Sequence, residues 1–162
     1  MFWYVFSGFF YKKKGILPME KSERINRVKL MELLVICLYF AQSYGKESRI
    51  RVNINALDIA LKSARRRGAF PPWGKKNLHF ANGRSGIICI ELEELLRIAY
   101  DCGCIEYDQT CCFARVIISQ KVALQFLKEI GIGKKKARKW GRFIREELEV
   151  EERLFFGDSG DL

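Results

Sequence analysis

The sequence has a single histidine and only three prolines among its 162 residues. The shortage of histidine argues against metal centres and acid-base catalysis that use imidazole groups. The chain also lacks a glycine-rich Walker loop, a serine or cysteine nucleophile signature, and a spaced set of carboxylates with a catalytic lysine. We therefore expect a protein that is not an enzyme and that holds neither a metal ion nor a cofactor.

Long hydrophobic runs are also missing. The most apolar stretch, residues 33–41, is too short to cross a bilayer and lies close behind Lys29 and Glu32. The aromatic run at residues 1–11 is also too short, and its lysines follow it, whereas a secretory signal has them in front. We expect a cytoplasmic protein without a membrane partner.

Residues 1–21 form an N-terminal extension with two alternative explanations. The codons for Lys12–Gly15 are purine-rich and end shortly before Met19, where a prokaryotic ribosome-binding site would stand, so residues 1–18 could be an over-extended start. Alternatively, the aromatic residues enter lipid headgroups while the lysines at 12–14 meet anionic lipid.

Positive charge is what the sequence has in excess. Lys and Arg outnumber Asp and Glu by 29 to 19, and the resulting net charge of +10 indicates a polyanionic partner such as nucleic acid. Residues 119–145 hold nine cations against the single acid Glu129. From Glu146 onward the sign reverses, which predicts internal neutralisation or a solvated acidic tail.

Six cysteines without a signal peptide favour a reducing compartment. Four of them form the cluster C-x-C-x6-C-C: Cys102, Cys104, Cys111 and Cys112. This spacing is a poor match to a zinc site, which leaves a disulfide or free thiols as alternatives. The disulfide stays open because few Asn and Gln with many charged residues fit a thermophile, and thermophile proteins do form intracellular disulfides.

The hydrophobic spacing predicts a mainly α fold with a small β component, an α+β protein. The expected elements are helices over residues 22–41, 56–67, 91–103 and 120–129, a strand over 48–54, a hairpin turning near 108–110, and a last helix from about 133. Residues 68–86 are rich in glycine and proline and contain Asn82-Gly83, so we expect a loop insertion there. The domain would span residues 22–130, followed by a turn and basic-to-acidic helix at 131–156 and a tail at 157–162.

The order of these elements resembles the winged-helix variant of the helix-turn-helix family over residues 22–130. In that family the third helix is followed by a two-stranded wing, and "LLRIAYDCGCIEYD" is similar to the end of that helix entering the wing. The resemblance implies DNA binding. Glu91, Glu93 and Glu94 occupy the helix that would read the groove, where carboxylates repel phosphate.

The stretch "KEIGIGKKKARKWGRF" resembles a helix-hairpin-helix motif, whose hydrophobic-Gly-hydrophobic-Gly turn binds DNA backbone without base specificity. The matching residues are Ile130, Gly131, Ile132, Gly133 and Ala137. Three lysines follow at the start of the next helix, where the helix dipole disfavours cations unless an anion binds there. The alternative is that Gly131 ends a helix, Gly133 is a joint and the basic run is a solvated helix face.

The residues expected to bind nucleic acid are cations and the two turn glycines: Gly131, Gly133, Lys134, Lys135, Lys136, Arg138, Lys139, Arg142, Arg145, Arg65, Arg66, Arg67, Lys75, Lys76 and Arg84. The arginines at 65–67 could instead only cap a helix. The cations at 75–84, interleaved with aromatic rings, could be a plain surface loop. The spacing of Trp140 favours a core position over base stacking.

From the sequence we expect a non-catalytic DNA-binding protein, a transcription or replication accessory factor that contacts backbone phosphates, with DNA favoured over RNA. The alternative is a protein-interaction module in which the last helix forms a homodimer by pairing its basic and acidic halves between chains.

Overall fold

The computed structural model describes residues 21–45, 48–53 and 55–156. Both explanations of the N-terminal extension, residue 54 of the predicted strand and the predicted tail at 157–162 lie outside these residues.

The described chain has an α+β fold, as the sequence predicts. Its elements are α1 Lys21–Tyr44, β1 Ile50–Arg51, α2 Ala56–Arg66, α3 Pro72–Asn77, β2 Phe80–Gly83, β3 Gly86–Cys89, α4 Leu92–Asp101, β4 Ile105–Tyr107, β5 Phe113–Val116, α5 Gln120–Ile130 and α6 Lys134–Phe156.

Helix α1 is the centre of the core. Its apolar stretch is nearly inaccessible to solvent, with Val35, Ile36 and Cys37 fully buried. Helices α4, α5 and α6 all pack against it. The predicted core helix is therefore confirmed, and among the described residues no helix is both long and apolar enough to span a membrane.

Helix α6 crosses α1 at Gly141. A Cβ atom at this glycine would lie 2.8 Å from the Ala41 nitrogen and 2.9 Å from the Cys37 carbonyl oxygen, so only glycine allows the two backbones to approach this closely. On either side of the crossing, Ala137 and Ile144 are fully buried. The predicted apolar face of the last helix is confirmed, and so is the burial of Trp140.

A three-stranded antiparallel sheet has the order β1-β5-β4. Buried residues such as Ile50, opposite Ala114, face the core, and Arg51, opposite Phe113, faces outward. The hairpin between β4 and β5 is confirmed, but β1 is shorter than predicted. Beyond Arg51 one further backbone bond, from the Val52 N–H to the Cys112 carbonyl at 2.9 Å, joins the two segments before the left-handed backbone of Cys111 at φ 56°.

The loop predicted over residues 68–86 is wrong, because this segment contains α3 and most of a second hairpin, β2–β3. Pro72 starts α3, since proline fits the first turn of a helix. Gly83 pairs with Gly86, so the turn lies at residues 84–85 and the Asn82-Gly83 dipeptide belongs to a strand. Glycine and proline were therefore signals of element ends rather than of an unstructured loop.

Candidate nucleic-acid interface

The turn between α5 and α6 is a tight helix stop. Gly131 adopts a left-handed conformation at φ 69°, which favours glycine. Its N–H donates to the Lys128 carbonyl at 3.3 Å, and the N–H of Ile132 donates to the Leu127 carbonyl at 3.0 Å. This pair of bonds is a Schellman motif, and it reverses the chain directly before the basic run.

The first turn of α6 is open to a partner. The Gly133 carbonyl accepts the first intrahelical hydrogen bond, from the Ala137 N–H at 3.1 Å, so Gly133 is the N-cap. The N–H groups that follow have no acceptor within the helix and carry its positive dipole end. A Cβ at Gly131 or Gly133 would have no other atom within 4 Å, which means that both glycines face open space.

Six exposed cations cover the first half of α6; we call them the basic face: Lys134, Lys135, Lys136, Arg138, Lys139 and Arg142. Arg142 pairs with Glu146 at 3.6 Å. The other five form no ion pair with any carboxylate in the described ranges.

The second half of α6 is acidic, and three of its five carboxylates pair with arginines of the fold. Glu146 binds Arg67 at 2.7 Å, Glu147 lies 3.8 Å from the same arginine, and Glu152 lies 3.6 Å from Arg51. Internal neutralisation is therefore confirmed for Glu146, Glu147 and Glu152. They also mark where the basic face ends.

Arg145, which the sequence predicts to bind nucleic acid, is buried. Its side chain is only 6% exposed, and its Nε donates to the Ala41 carbonyl oxygen at 3.1 Å. Helical spacing grouped Arg145 with the cations of α6, but the crossing with α1 buries this position and supplies backbone acceptors for the guanidinium. Arg145 therefore belongs to the interior and not to the basic face.

The arginines at 65–67 take different positions at the end of α2. Arg65 Nη1 donates to the Leu78 carbonyl at 2.8 Å, and Arg67 is bound to the acids of α6. The Arg67 guanidinium also lies 3.9 Å from the centre of the Phe143 ring. Arg66 is exposed. Two of these three arginines are thus engaged within the fold, and Arg66 alone extends the predicted binding set.

Comparisons with protein-family models, with characterised proteins and with solved structures all give no significant similarity. The winged-helix and helix-hairpin-helix resemblances therefore stay predictions. The functional argument rests on the contacts and charges described above.

The three cations at 75–84 lie at two separate places in the fold. Lys75 and Lys76 lie in the last turn of α3, which packs on α1, whereas Arg84 lies at the turn of the β2–β3 hairpin, which packs on α2. Both sites are on the surface, and neither belongs to α6.

The acids in the predicted reading helix have structural contacts. Glu94 of α4 forms an ion pair with Arg27 of α1. The Glu91 carboxylate accepts from the His79 N–H at 2.8 Å and also contacts the His79 ring nitrogen Nδ1. Two of the three carboxylates therefore tie α4 to its neighbours, which does not favour insertion of this helix into a groove.

The cysteines are all free thiols, so the disulfide alternative is not realised in this structure. Burial raises the pKa of Cys104 to about 12 and the pKa of Cys102 to about 11. Both therefore stay protonated at neutral pH and are poorly reactive. In the described part of the chain, no group of three or more His, Cys, Asp or Glu side chains could hold a metal ion.

One charged cluster was missed at the sequence level. The guanidinium groups of Arg49 and Arg51 lie over the Phe113 ring, and Arg115 follows two residues later on the same strand, where it pairs with Glu106. The alternation of "SRIRV" and "FARV" shows that each strand has a polar side. Only the pairing of Arg51 with Phe113 brings the two sides together, and a single sequence does not reveal that register.

Proposed function

We propose that this chain binds duplex DNA through backbone phosphates at the start of α6, as a non-catalytic accessory factor in transcription or replication. One observation carries the proposal: exposed lysines that pair with no described carboxylate stand at a helix N-terminus, directly after an open glycine turn.

The electrostatics of this helix start explain the preference for an anion. Lys134, Lys135 and Lys136 sit at the positive end of the helix dipole, where cations destabilise the free helix. A bound phosphate removes that repulsion and accepts hydrogen bonds from the free backbone N–H groups. Lysines that are unfavourable in the free protein therefore become favourable in the complex.

The size of the basic face fits a polymer rather than a single phosphate. From Lys134 to Arg142 the helix rises about 12 Å, at about 1.5 Å per residue. One DNA strand places a phosphate about every 3.4 Å along its axis, so this face spans about three or four phosphates. Phosphates carry no base information, and we therefore expect weak sequence preference.

Charge reversal tests the proposal directly. Changing the three lysines at 134–136 to Glu should weaken binding to a mixed-sequence duplex and flatten the slope of log K against log salt. The matched control changes Arg97, Lys121 and Arg153 to Glu; these exposed cations lie on α4, α5 and the far half of α6, and the net charge changes equally. If both triple variants lose affinity equally, general charge and not the basic face is responsible.

The oligomerisation alternative has one observation in its favour. Val150 and Leu154 are 41% and 75% exposed and lie one turn apart on the acidic half of α6. Light scattering on a sizing column checks this alternative: a dimer that becomes a monomer in Leu154→Glu would support it. A monomer at high protein concentration would exclude it.

A further inference from the structure

The β2–β3 hairpin has one covered edge and one open edge. On the β3 side, the Asp58 side chain of α2 accepts from the Cys89 N–H at 2.6 Å, and the Asn55 side chain donates to the Ser85 carbonyl at 3.1 Å. Helix α2 also packs on this strand. On the other side, no further strand lies beside β2 in the described part of the chain.

The hydrogen-bond pattern of the hairpin shows which backbone groups of β2 face the open side. Neighbouring residues of a strand direct their N–H and C=O groups to opposite sides. The Ile90 N–H donates to the His79 carbonyl at 2.9 Å, across the hairpin, whereas the Cys89 N–H points away from β2. Phe80 stands opposite Cys89, so the N–H and C=O groups of Phe80, and those of Asn82 two residues on, point away from β3. We call these four groups, to which no described residue hydrogen-bonds, the open edge.

Strand β2 also lacks the features that normally keep edge strands apart. Soluble proteins block such edges with charged residues, proline or bulges. Both edge strands of the three-stranded sheet carry a charge, Arg51 in β1 and Glu106 in β4. Strand β2 is Phe-Ala-Asn-Gly, with neither charge nor proline, and its pairing with β3 runs without a bulge. Among the described strands, β2 is therefore the one whose edge is both uncovered and uncharged.

The spacing of the open edge is self-complementary. When two β2 strands run antiparallel with the two Ala81 residues opposite each other, Phe80 of each copy faces Asn82 of the other. Each of these pairs exchanges two hydrogen bonds, so every group of both open edges finds a partner. At Ala81 the Cα atoms of the two strands would approach to about 4.5 Å. Ala81 is exposed, and its side chain is small enough for that approach.

We propose that β2 pairs with β2 of a second copy of the chain about this twofold axis, which joins two hairpins into one four-stranded sheet. Addition of a strand to an exposed sheet edge is a recurrent mode of recognition, in which main-chain hydrogen bonds supply the affinity. The same groups serve both copies, as a twofold dimer requires. The inference does not depend on DNA binding, because the open edge contains none of the cations of the basic face.

Charge variants of Ala81 test the pairing without changing the hydrogen bonds of the hairpin. In the dimer, Ala81→Glu and Ala81→Lys each place like charges directly opposite one another, which destabilises a strand pair. Light scattering of the full chain on a sizing column should show a dimer for the wild type and a monomer for each variant at the same protein concentration. An equimolar mixture of the two variants should dimerise again, because opposite charges then face each other. Gln109→Glu and Gln109→Lys, exposed changes in the β4–β5 turn, are the matched controls and should stay dimeric.

Asn82→Pro tests the hydrogen bonds of the open edge. The Asn82 N–H points away from β3, so proline removes one donor from each copy in the dimer and no hydrogen bond within the hairpin. Loss of these two bonds should raise the dissociation constant of the dimer about tenfold or more. Asn82→Ala keeps the N–H and should leave the dissociation constant unchanged.

Three results would overturn this inference. A wild-type chain that stays monomeric at high protein concentration would do so, and the proposal of DNA binding at the basic face stands independently of that result. A dimer that persists in Ala81→Glu and Ala81→Lys, or that is lost only in Leu154→Glu, would place the contact elsewhere on the protein. If the two charge variants are monomeric and their mixture stays monomeric as well, charges do not face each other across β2 and the pairing is wrong.

Discussion

Arg145 Nε donates a 3.1 Å hydrogen bond to the Ala41 carbonyl oxygen, which joins α6 to the last turn of α1. The last carbonyls of a helix lack intrahelical donors and carry its negative dipole end, so a cation there stabilises α1. The space for the guanidinium comes from Gly45, where a Cβ would lie 1.9 Å from Arg145 Nη2. Arg145, which belongs to the basic segment in sequence, therefore stabilises the core of the fold.

Replacing Arg145 should lower the stability of the fold without changing DNA binding. Arg145→Leu removes a charged donor from buried carbonyls and should lower the free energy of unfolding by about 2 kcal/mol. The salt dependence of DNA binding by the folded variant should stay as in the wild type. Arg142→Leu is the matched control: urea titration should show a change within about 0.5 kcal/mol, while the salt slope falls by about one unit. The reverse pattern would contradict these assignments.

The sign of the stability change in Gly141→Ala tests the close crossing of α1 and α6. At an exposed helix position, Gly→Ala stabilises by up to about 1 kcal/mol. Here the new Cβ would lie under 3 Å from backbone atoms of Cys37 and Ala41, so Gly141→Ala should destabilise by about 1–3 kcal/mol. Thermal unfolding followed by circular dichroism measures it, and a rise in melting temperature would mean that the helices do not cross this closely.

Substitution of Gly131 should lower stability only through the backbone conformation at this position. No atom lies within 4 Å of a Cβ at this position, and the cost of Gly131→Ala therefore comes only from its φ of 69°, about 1–2 kcal/mol. Gly131→Asn should cost less, because asparagine tolerates the left-handed region. Equal stability of the alanine variant and the wild type in urea would show that the turn has another form.

Glu32 should make stability depend on pH. It is only 2% exposed in α1, and burial, followed by the nearby Glu129 carboxylate, raises its pKa to about 8 from 4.5. Between these two values the folded state keeps a proton that the unfolded state has lost, so stability falls as the pH rises through this window, by up to about 1.4 kcal/mol per pH unit.

Unfolding in urea at several pH values between 5 and 9 checks this pH dependence. Glu32→Gln should flatten the decline, because the neutral amide cannot ionise, and should be more stable than the wild type at the alkaline end. Glu23→Gln, an exposed change in the same helix, should leave the slope in place. An identical slope in the wild type and Glu32→Gln would rule out Glu32 as its source.

The sequence was sufficient where local periodicity determines structure. Helices α2, α4 and α5 and the β4–β5 hairpin follow from apolar spacing and turn residues, and Gly131 was identifiable as a helix stop. Tertiary contacts set the rest. The role of Arg145 depends on α1 ending beside it, and the contact of Arg51 with Phe113 depends on strand register. A short stretch of sequence reveals neither.

The most direct test of DNA binding at the basic face is the affinity of the wild-type chain for a mixed-sequence duplex, measured by anisotropy across a range of salt concentrations. Binding through three or four phosphates predicts a linear fall of log K with log salt, with a slope of about −3. Absent binding, or an affinity that does not change with salt, would contradict this account.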